Sequence, residues 1–177
     1  EYYLDNNAAT ILFDLRASRV VEDIIKQKGA NAIRSRVGHS YIQQQMKDAF
    51  FGGELSGHYY FREFFNCDCA LFTLAQLLTI VSETGTTLCD LHQRYGTYVQ
   101  SGEINFEVED KDSAMAMIKK KYAKWFDSQI DGYRFETENV WFVIRPSNTE
   151  DVIRLTVEGV SEEDVDTIVN EITQLVG

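Results

Sequence analysis

Apolar residues in the first half of the chain fall into short runs separated by stretches of helical spacing. Short runs that are typical of buried strands cover residues 11–15 and 49–51, and we predict a further strand over residues 32–37. Between them, apolar residues repeat with a helical period over residues 19–28 and 41–48, so we predict helices there. The order strand, helix, strand, helix, strand predicts a three-layer α/β domain with a mostly parallel sheet.

Two more helices complete this half of the chain. Residues 69–83 are apolar over four turns, and we expect a long helix there that is largely buried. A short helix should follow Thr87 and end near Tyr95. Ser40 is expected to be the N-cap of the helix over 41–48, because Gln43 three residues later completes a capping-box pattern.

The second half of the chain has a different pattern, in which strands lie beside one another in sequence. We predict the following elements in order: a strand that ends at Glu109, a helix over 112–126, strands over 133–136 and 140–144 with a turn at Glu138-Asn139, a strand over 152–158, and a helix that starts at Ser161. This order predicts an α+β domain in which helices back an antiparallel sheet. We therefore expect two domains, residues 1–97 and 98–177. The polar residues 1–10 should form a linker or the entry to the first strand.

Charge and composition narrow the possible partners. The net charge is −11, which argues against nucleic acid because nucleic-acid binding depends on Lys and Arg. Residues 1–98 carry 9 basic and 11 acidic groups, a net of −2, and residues 99–177 carry 8 and 17, a net of −9. No apolar run approaches the ~18 residues of a membrane span. The odd number of cysteines, three, favours reduced thiols and a cytoplasmic protein.

A glycine-rich segment, FGGELSGH at residues 51–58, is the first candidate for chemistry, and we call it the glycine loop. Glu54, Ser56 and His58 alternate along it, so in an extended segment these three side chains would share one face. A carboxylate beside a hydroxyl can bond neighbouring hydroxyls of a polyol. The alternative is a simple turn between two strands, with His58 as an ordinary strand residue.

Polar residues follow each of the three predicted parallel strands. Arg16, His39 and Glu54 come within three residues of the ends of the first, second and third strand. Ligands of parallel sheets gather at the carboxyl ends of the strands. We therefore expect these three side chains to meet at one edge of the sheet.

A second candidate is RPSNTE at residues 145–150, which we call the Arg145 loop. The guanidinium of Arg145 can bind two phosphate oxygens at once, and the polar side chains of Ser147, Asn148 and Thr149 can complete an anion site. The alternative is a polar hairpin turn. By contrast, the carboxylates of residues 110–112 are not surrounded by a metal-binding loop, and we expect no metal ligands in this chain.

Both segments resemble motifs of one enzyme family. GELSGH is similar to the sugar-recognition motif G-E-x-S-G-H of the phosphohexomutases (the phosphomannomutase/phosphoglucomutase superfamily), and RPSNTE resembles their phosphate-binding loop R-x-S-N-T-E. The resemblance runs from Ile11 to the C-terminus and covers only the second half of a family member, its third and fourth domains. Leu55 favours the phosphomannomutase/phosphoglucomutase subgroup, because phosphoglucosamine mutases usually have glutamine there.

The resemblance implies an intramolecular transfer of phosphate between hexose 1-phosphate and hexose 6-phosphate. It assigns the candidate residues to three roles: catalysis for Arg16, His39 and His58, binding of sugar hydroxyls for Glu54 and Ser56, and phosphate binding for Arg145, Ser147, Asn148 and Thr149. Many relatives have proline after S-N-T-E, whereas this chain has Asp151, whose charge is expected to weaken phosphate binding.

The same resemblance shows what this chain lacks. Neither the phosphoserine loop nor the aspartate-rich magnesium loop of the family occurs in its sequence. We therefore expect the Mg²⁺ site to lie outside this chain, in the N-terminal domains that are its partners in the whole enzyme, with glucose or mannose bisphosphate as activator. The fragment alone should be inactive. Alternatives are a phosphoglucosamine mutase and a non-catalytic module that binds sugar phosphates.

Overall fold

The computed structural model describes residues 9–177, and the chain divides between Thr97 and Tyr98 into two compact units. The linker predicted over residues 1–10 lies outside the described residues except at its end, where Thr10 already belongs to the first strand. Among residues 9–177, no helix is both long and apolar enough to cross a membrane.

Within its described residues, the first unit contains a five-stranded sheet, four α-helices and a short 3-10 helix, Met46–Asp48. In chain order its elements are β1 Thr10–Asp14, α1 Arg19–Gln27, β2 Asn31–Ser35, α2 His39–Gln45, β3 Phe51–Gly53, β4 Tyr59–Phe61, β5 Cys67–Asp68, α3 Ala70–Thr84 and α4 Leu88–Tyr95. The strand order is β2-β1-β3-β4-β5. The central strand β1 pairs in parallel with both β2 and β3, while the short strands β4 and β5 extend the sheet in antiparallel fashion. The predicted α/β fold is confirmed.

Alternation along β1 explains the three layers. Ile11 and Phe13 point to one face of the sheet and pack with Ile25 of α1. Leu12 points to the other face and packs with Ile42 of α2. Because both faces of the strand are apolar, helices cover the sheet on both sides, and the carboxyl ends of the parallel strands lie between these helices.

The second unit is an antiparallel sheet with helices on one face. Its elements are β6 Val99–Glu107, α5 Lys111–Lys121, β7 Phe126–Ser128, β8 Tyr133–Glu136, β9 Val140–Pro146, β10 Val152–Gly159 and α6 Glu162–Val176. The strand order is β6-β10-β9-β8-β7. Ile118 of α5 and Ile172 of α6 pack with Phe142 and Ile144 of β9. The predicted α+β fold is therefore confirmed, and residues that alternate with Phe142 and Ile144, including Arg145, lie on the opposite face of the sheet.

Three local predictions were wrong. Ser40 is not the N-cap of α2, because the helix begins one residue earlier at His39 with Gly38 as its N-cap. Gly38 has φ +126°, a conformation that favours glycine, and its carbonyl accepts from the N–H of Tyr41 at 3.1 Å. The predicted helix over 112–126 ends as an α-helix at Lys121, and Phe126 already belongs to β7.

The third error concerns α3, which was expected to be largely buried. None of its residues is buried, and Leu71, Leu74 and Leu78 are 79%, 51% and 58% exposed. Its contacts with the unit include Phe72, whose ring meets that of Phe61 with centroids 4.7 Å apart. The apolar period predicted the helix correctly, but it does not reveal whether a neighbouring surface covers that helix.

Candidate functional site

A buried aspartate at the end of β1 connects Arg16 to the glycine loop. Asp14 is fully buried and accepts hydrogen bonds from the backbone N–H of Arg16 and from its Nη2, both at 2.8 Å. The same carboxylate accepts from the N–H of Leu55 in the glycine loop at 3.0 Å. Arg16 is only 9% exposed. The structure therefore holds Arg16 and the glycine loop against one carboxylate, which the sequence analysis did not single out.

Residues 54–58 of the glycine loop form a tight turn, whereas its first three residues are the extended strand β3. The N–H of Glu54 donates to the carbonyl of His58 at 2.9 Å, and the N–H of Gly57 donates to the carbonyl of Glu54 at 3.0 Å. Gly57 has φ +87°, which lets the chain reverse there. The predicted common face is therefore wrong: Glu54 is 6% exposed, whereas Ser56 and His58 are exposed to solvent.

Tyr60 connects the glycine loop to α2. Its hydroxyl donates to Oε1 of Glu54 at 2.5 Å and lies 3.1 Å from Nδ1 of His39. A tyrosine has one hydroxyl hydrogen and a carboxylate only accepts, so Nδ1 of His39 must donate to the Tyr60 oxygen. Burial and the hydrogen bond to Glu54 raise the pKa of Tyr60 well above its ordinary value. Tyr60 therefore stays a neutral donor that orients Glu54.

Asp68 joins both histidines of the site. Its Oδ2 accepts from Nδ1 of His58 at 2.7 Å, and its Oδ1 lies 3.6 Å from Nδ1 of His39. With Nδ1 of His58 donating to Asp68, the lone pair of that ring is on Nε2. The structure thus brings together Arg16, His39, Glu54 and His58 around Asp14, Tyr60 and Asp68.

Gly52 allows α2 to approach the glycine loop. A Cβ at this position would lie 3.0 Å from Sδ of Met46 and 3.1 Å from Cγ2 of Ile42, both fully buried. A larger residue would push α2 away from β3. Because His39 starts α2, this close packing also fixes the distance from His39 to Glu54.

In the second unit, Arg145 lies within β9 and contacts an acidic residue. Its Nη2 donates to Oε2 of Glu103 on β6 at 2.8 Å, and its side chain is only 13% exposed. Arg154 of β10 donates to the other oxygen of Glu103 at 3.3 Å and to Oε2 of Glu150 at 2.6 Å. The sequence predicts Arg145 in a loop after the strand over 140–144, whereas the structure places it within β9 with its guanidinium bonded to Glu103.

Ser147 shapes the backbone of the Arg145 loop. It is 6% exposed, and its Oγ accepts from the N–H groups of Thr149 at 3.4 Å and Glu150 at 3.3 Å. Asn148 and Thr149 are exposed to solvent. Two of the four predicted phosphate-binding side chains are therefore open to a ligand, while Ser147 holds the turn that presents them.

Lys111 supports the same loop from α5. Its Nζ donates to the carbonyls of Ser147 at 3.2 Å and Glu150 at 2.9 Å, and lies 3.5 Å from Oδ1 of Asp151. Asp110, the residue before it, is the N-cap of α5 and has a structural role. The ammonium of Lys111 offsets part of the negative charge that Asp151 brings to the loop. Its role could not be predicted from the sequence, because the contact spans 36 residues.

Comparisons with known proteins place this geometry in a family. Residues 1–98 match "Phosphoglucomutase/phosphomannomutase, alpha/beta/alpha domain III", and residues 103–175 match "Phosphoglucomutase/phosphomannomutase, C-terminal domain". A phosphomannomutase of Methanocaldococcus jannaschii is 38% identical over 178 aligned residues, which cover 99% of this chain and 40% of the relative. The chain thus spans about two fifths of the length of that relative.

Solved structures show the same fold. A phosphoglucomutase/phosphomannomutase family protein from Burkholderia thailandensis superposes with a TM-score of 0.79 at 24% identity, covering 94% of this chain and 37% of that one. The N-acetylphosphoglucosamine mutase of Aspergillus fumigatus, solved with GlcNAc-6P and magnesium, superposes with a TM-score of 0.69 at 13% identity, covering 94% and 38%. The two family matches, together with the two motifs in their structural settings, show that this chain belongs to the phosphoglucomutase/phosphomannomutase family, of which it contains domain III and the C-terminal domain.

Proposed function

We propose that these residues form the sugar- and phosphate-recognising part of a phosphomannomutase/phosphoglucomutase, which moves a phosphoryl group between O1 and O6 of a hexose. The observation that carries the proposal is the hydrogen-bond network from Glu54 through Tyr60 and His39 to Asp68 and His58, which begins in the G-E-x-S-G-H motif. The identified relative is a phosphomannomutase, which favours this activity over a phosphoglucosamine mutase. Catalysis belongs to the whole enzyme.

The first unit is suited to binding sugar hydroxyls. Tyr60 fixes one oxygen of the Glu54 carboxylate, and the carboxylate retains acceptor capacity for hydroxyl hydrogens. Ser56 lies two residues further along the same turn and is exposed. We infer that Glu54 and Ser56 bind neighbouring hydroxyls of the hexose ring, so that the sugar can be held in either of its two orientations.

His58 is suited to accept a proton from the attacking hydroxyl. Because Asp68 accepts from Nδ1, the lone pair of Nε2 is available, and the carboxylate stabilises the imidazolium that forms. His39 shares the same carboxylate and the Tyr60 hydroxyl, and we infer that it contacts the reacting end of the sugar. Arg16, held by Asp14, adds a fixed positive charge at the same edge of the sheet.

In the second unit, phosphate binding requires an exchange of partners at Arg145. The guanidinium is bonded to Glu103, so a phosphate must take the place of that carboxylate. A phosphate offers more acceptor oxygens and more charge than a carboxylate, and Arg binds it in bidentate fashion. We infer that Asn148 and Thr149 complete the contact, while Ser147 and Lys111 keep the Arg145 loop in place.

Magnesium does not fit the described residues. Mg²⁺ takes oxygen ligands in octahedral geometry. Within residues 9–177, the one group of three candidate ligands is His39, His58 and Asp68, and two of its members are imidazoles. We therefore propose that the Mg²⁺ that the family implies binds to ligands outside this chain. The bisphosphate activator also remains a proposal for the whole enzyme.

Turnover by variants of the whole enzyme tests the proposal. Glu54→Gln and Ser56→Ala should each lower kcat/KM for mannose and glucose phosphates. Glu54→Gln should have the larger effect, because a hydrogen bond to a charged group is worth about 1.5–3 kcal/mol, or about 10- to 100-fold. Glu63→Gln, at an exposed position outside the turn, is the matched control for lost charge. Wild-type rates in both loop variants would contradict the proposal. The 177-residue chain alone should show no turnover, since it lacks the phosphoserine loop.

A further inference from the structure

Two imidazoles and a carboxylate converge at the edge of the first sheet. His39, His58 and Asp68 each place a potential metal ligand within 4.8 Å of the other two, and this is the one such group of three among the described residues. The ring centroids of His39 and His58 are 6.0 Å apart with the planes nearly perpendicular. Both rings thus reach the same carboxylate from different directions.

The backbone places these side chains from three separate elements. His39 is the first residue of α2, His58 directly precedes β4, and Asp68 is the last residue of β5. Asp68 pairs with Tyr60 across the β4–β5 ladder. Because Tyr60 is two positions after His58 in the chain, this pairing keeps Asp68 close to His58. The three side chains are 47%, 50% and 25% exposed, so an ion can reach them from solvent and the rings can turn toward it.

We propose that His39, His58 and Asp68 form a binding site for Zn²⁺ or a similar transition-metal ion. Zn²⁺ binds imidazole nitrogen and carboxylate oxygen at about 2.0–2.2 Å, which places tetrahedral ligand atoms about 3.3 Å apart. The Nδ1 atoms of His58 and His39 already lie 2.7 and 3.6 Å from the two oxygens of Asp68. All three potential ligand atoms lie within 4.8 Å of one another, so small side-chain rotations would bring them to the separation that the ion requires.

The ion would take the place of the hydrogen between Nδ1 of His58 and Asp68. His39 likewise gives up the hydrogen that its Nδ1 donates to the Tyr60 hydroxyl. A neutral imidazole carries one hydrogen on either nitrogen, so in both rings the hydrogen moves from Nδ1 to Nε2 on binding and the rings stay neutral. Water completes the fourth position. Two imidazoles and one carboxylate favour Zn²⁺, Ni²⁺ or Cu²⁺ over Mg²⁺, which prefers oxygen ligands alone.

Binding of the ion has a consequence for catalysis that rests on the proposed function. With the ion on Nδ1, Nε2 of His58 carries hydrogen and can no longer accept a proton from the sugar hydroxyl. The site is therefore inhibitory: Zn²⁺ should block turnover of the whole enzyme by a route separate from displacement of its Mg²⁺. Binding itself depends only on the three side chains.

Zinc binding to the 177-residue chain tests the site directly. We expect one Zn²⁺ per chain in a titration against a chromophoric chelator, with the thiols kept reduced. His39→Ala, His58→Ala and Asp68→Asn should each weaken binding by at least about tenfold. His92→Ala is the matched control, because His92 lies on α4 and is the one histidine outside the group. Circular dichroism of each variant shows that it is folded.

Two results would overturn the proposal. The first is equal zinc affinity in wild type and in the His39, His58 and Asp68 variants. The second is loss of binding in a Cys67→Ser, Cys69→Ser double variant with binding retained in His58→Ala, which would place the ion on the flanking thiols. Neither result depends on turnover. If zinc binds as proposed but does not inhibit the whole enzyme, the metal site is supported and the proton-accepting role of His58 is contradicted.

Discussion

The contact between Arg145 and Glu103 predicts that removing the carboxylate will strengthen phosphate binding. In the present structure Nη2 of Arg145 donates to Oε2 of Glu103 at 2.8 Å, and a phosphate has to displace this partner. Glu103→Gln keeps the shape of the side chain and removes its charge. The competing ion pair is lost, and so is the repulsion between Glu103 and the incoming anion.

The size of the effect follows from the exposure of the pair. The side chains of Arg145 and Glu103 are 13% and 27% exposed, but Glu103 as a whole residue is exposed, so solvent screens part of the pair. A salt bridge at the surface contributes up to about 1 kcal/mol. Charged hydrogen bonds contribute about 1.5–3 kcal/mol. Arg154 also bonds Glu103, so only part of the interaction energy of that carboxylate belongs to its contact with Arg145. We therefore expect a gain of about 1–2 kcal/mol, which corresponds to about 5- to 30-fold in Kd.

The assay is a titration of the 177-residue chain with mannose 6-phosphate or inorganic phosphate, followed by NMR or calorimetry at low and high salt. Glu107→Gln is the matched control. It removes one charge from the same strand, β6, at an exposed position. Glu103→Gln should bind phosphate more tightly than Glu107→Gln at both salt concentrations, because a direct contact is less sensitive to screening than a distant charge.

Two results would refute this reasoning. Weaker binding in Glu103→Gln would mean that Glu103 orients Arg145 for phosphate and does not compete with it. Equal gains in Glu103→Gln and Glu107→Gln would mean that only the net charge of −9 in residues 99–177 matters.

Three further predictions concern the second unit. Arg145→Lys should weaken phosphate binding in the same titration by about 1–3 kcal/mol, because lysine keeps the charge but loses the bidentate geometry. Hydrogen bonds from the side chain and N–H of Ser113 lower the pKa of Asp110 in the folded chain. The stabilisation by the Asp110 carboxylate is therefore present above its unfolded-state pKa and is lost as pH falls through the lowered value. Asp110→Ala should cost less stability in urea unfolding at acidic pH than at neutral pH. Gly132→Ala should destabilise the chain by about 1–3 kcal/mol in urea unfolding, because φ is +103° and a Cβ would lie 2.3 Å from the carbonyl oxygen of Ile144.

The parallel part of the fold could be predicted because its signals are local. β1 is a short apolar run, and α1 after it has a 3.6-residue period. β3, Phe51–Gly53, begins where the predicted strand over 49–51 ends, so its position was only approximate. The alternation of strands and helices was still enough to predict parallel strands whose ends share an edge. That topology is what brings Arg16, His39 and Glu54 to the same edge. The Arg145 loop could be predicted for the same reason, because its polar residues directly follow the apolar strand over 140–144.

The residues that connect these side chains could not be predicted. Tyr60 and Asp68 lie on β4 and β5, strands of three and two residues that exist because they pair with β3 and with each other. Glu103 reaches Arg145 across 42 positions of sequence. Such contacts depend on strand register in the folded sheet, which leaves no periodic signal in the chain.

Asp14 affects the thermodynamics of ligand binding as well as the geometry. A loop that orders only when its ligand arrives loses conformational entropy at that moment, and affinity falls accordingly. Here the N–H of Leu55 and the guanidinium of Arg16 are already bonded to the buried carboxylate of Asp14, and Tyr60 holds the Glu54 carboxylate. The entropy of ordering these groups is lost during folding. A hexose therefore meets a preorganised receptor, and its binding should show a smaller entropic penalty in calorimetry than binding to a chain with Asp14→Ala.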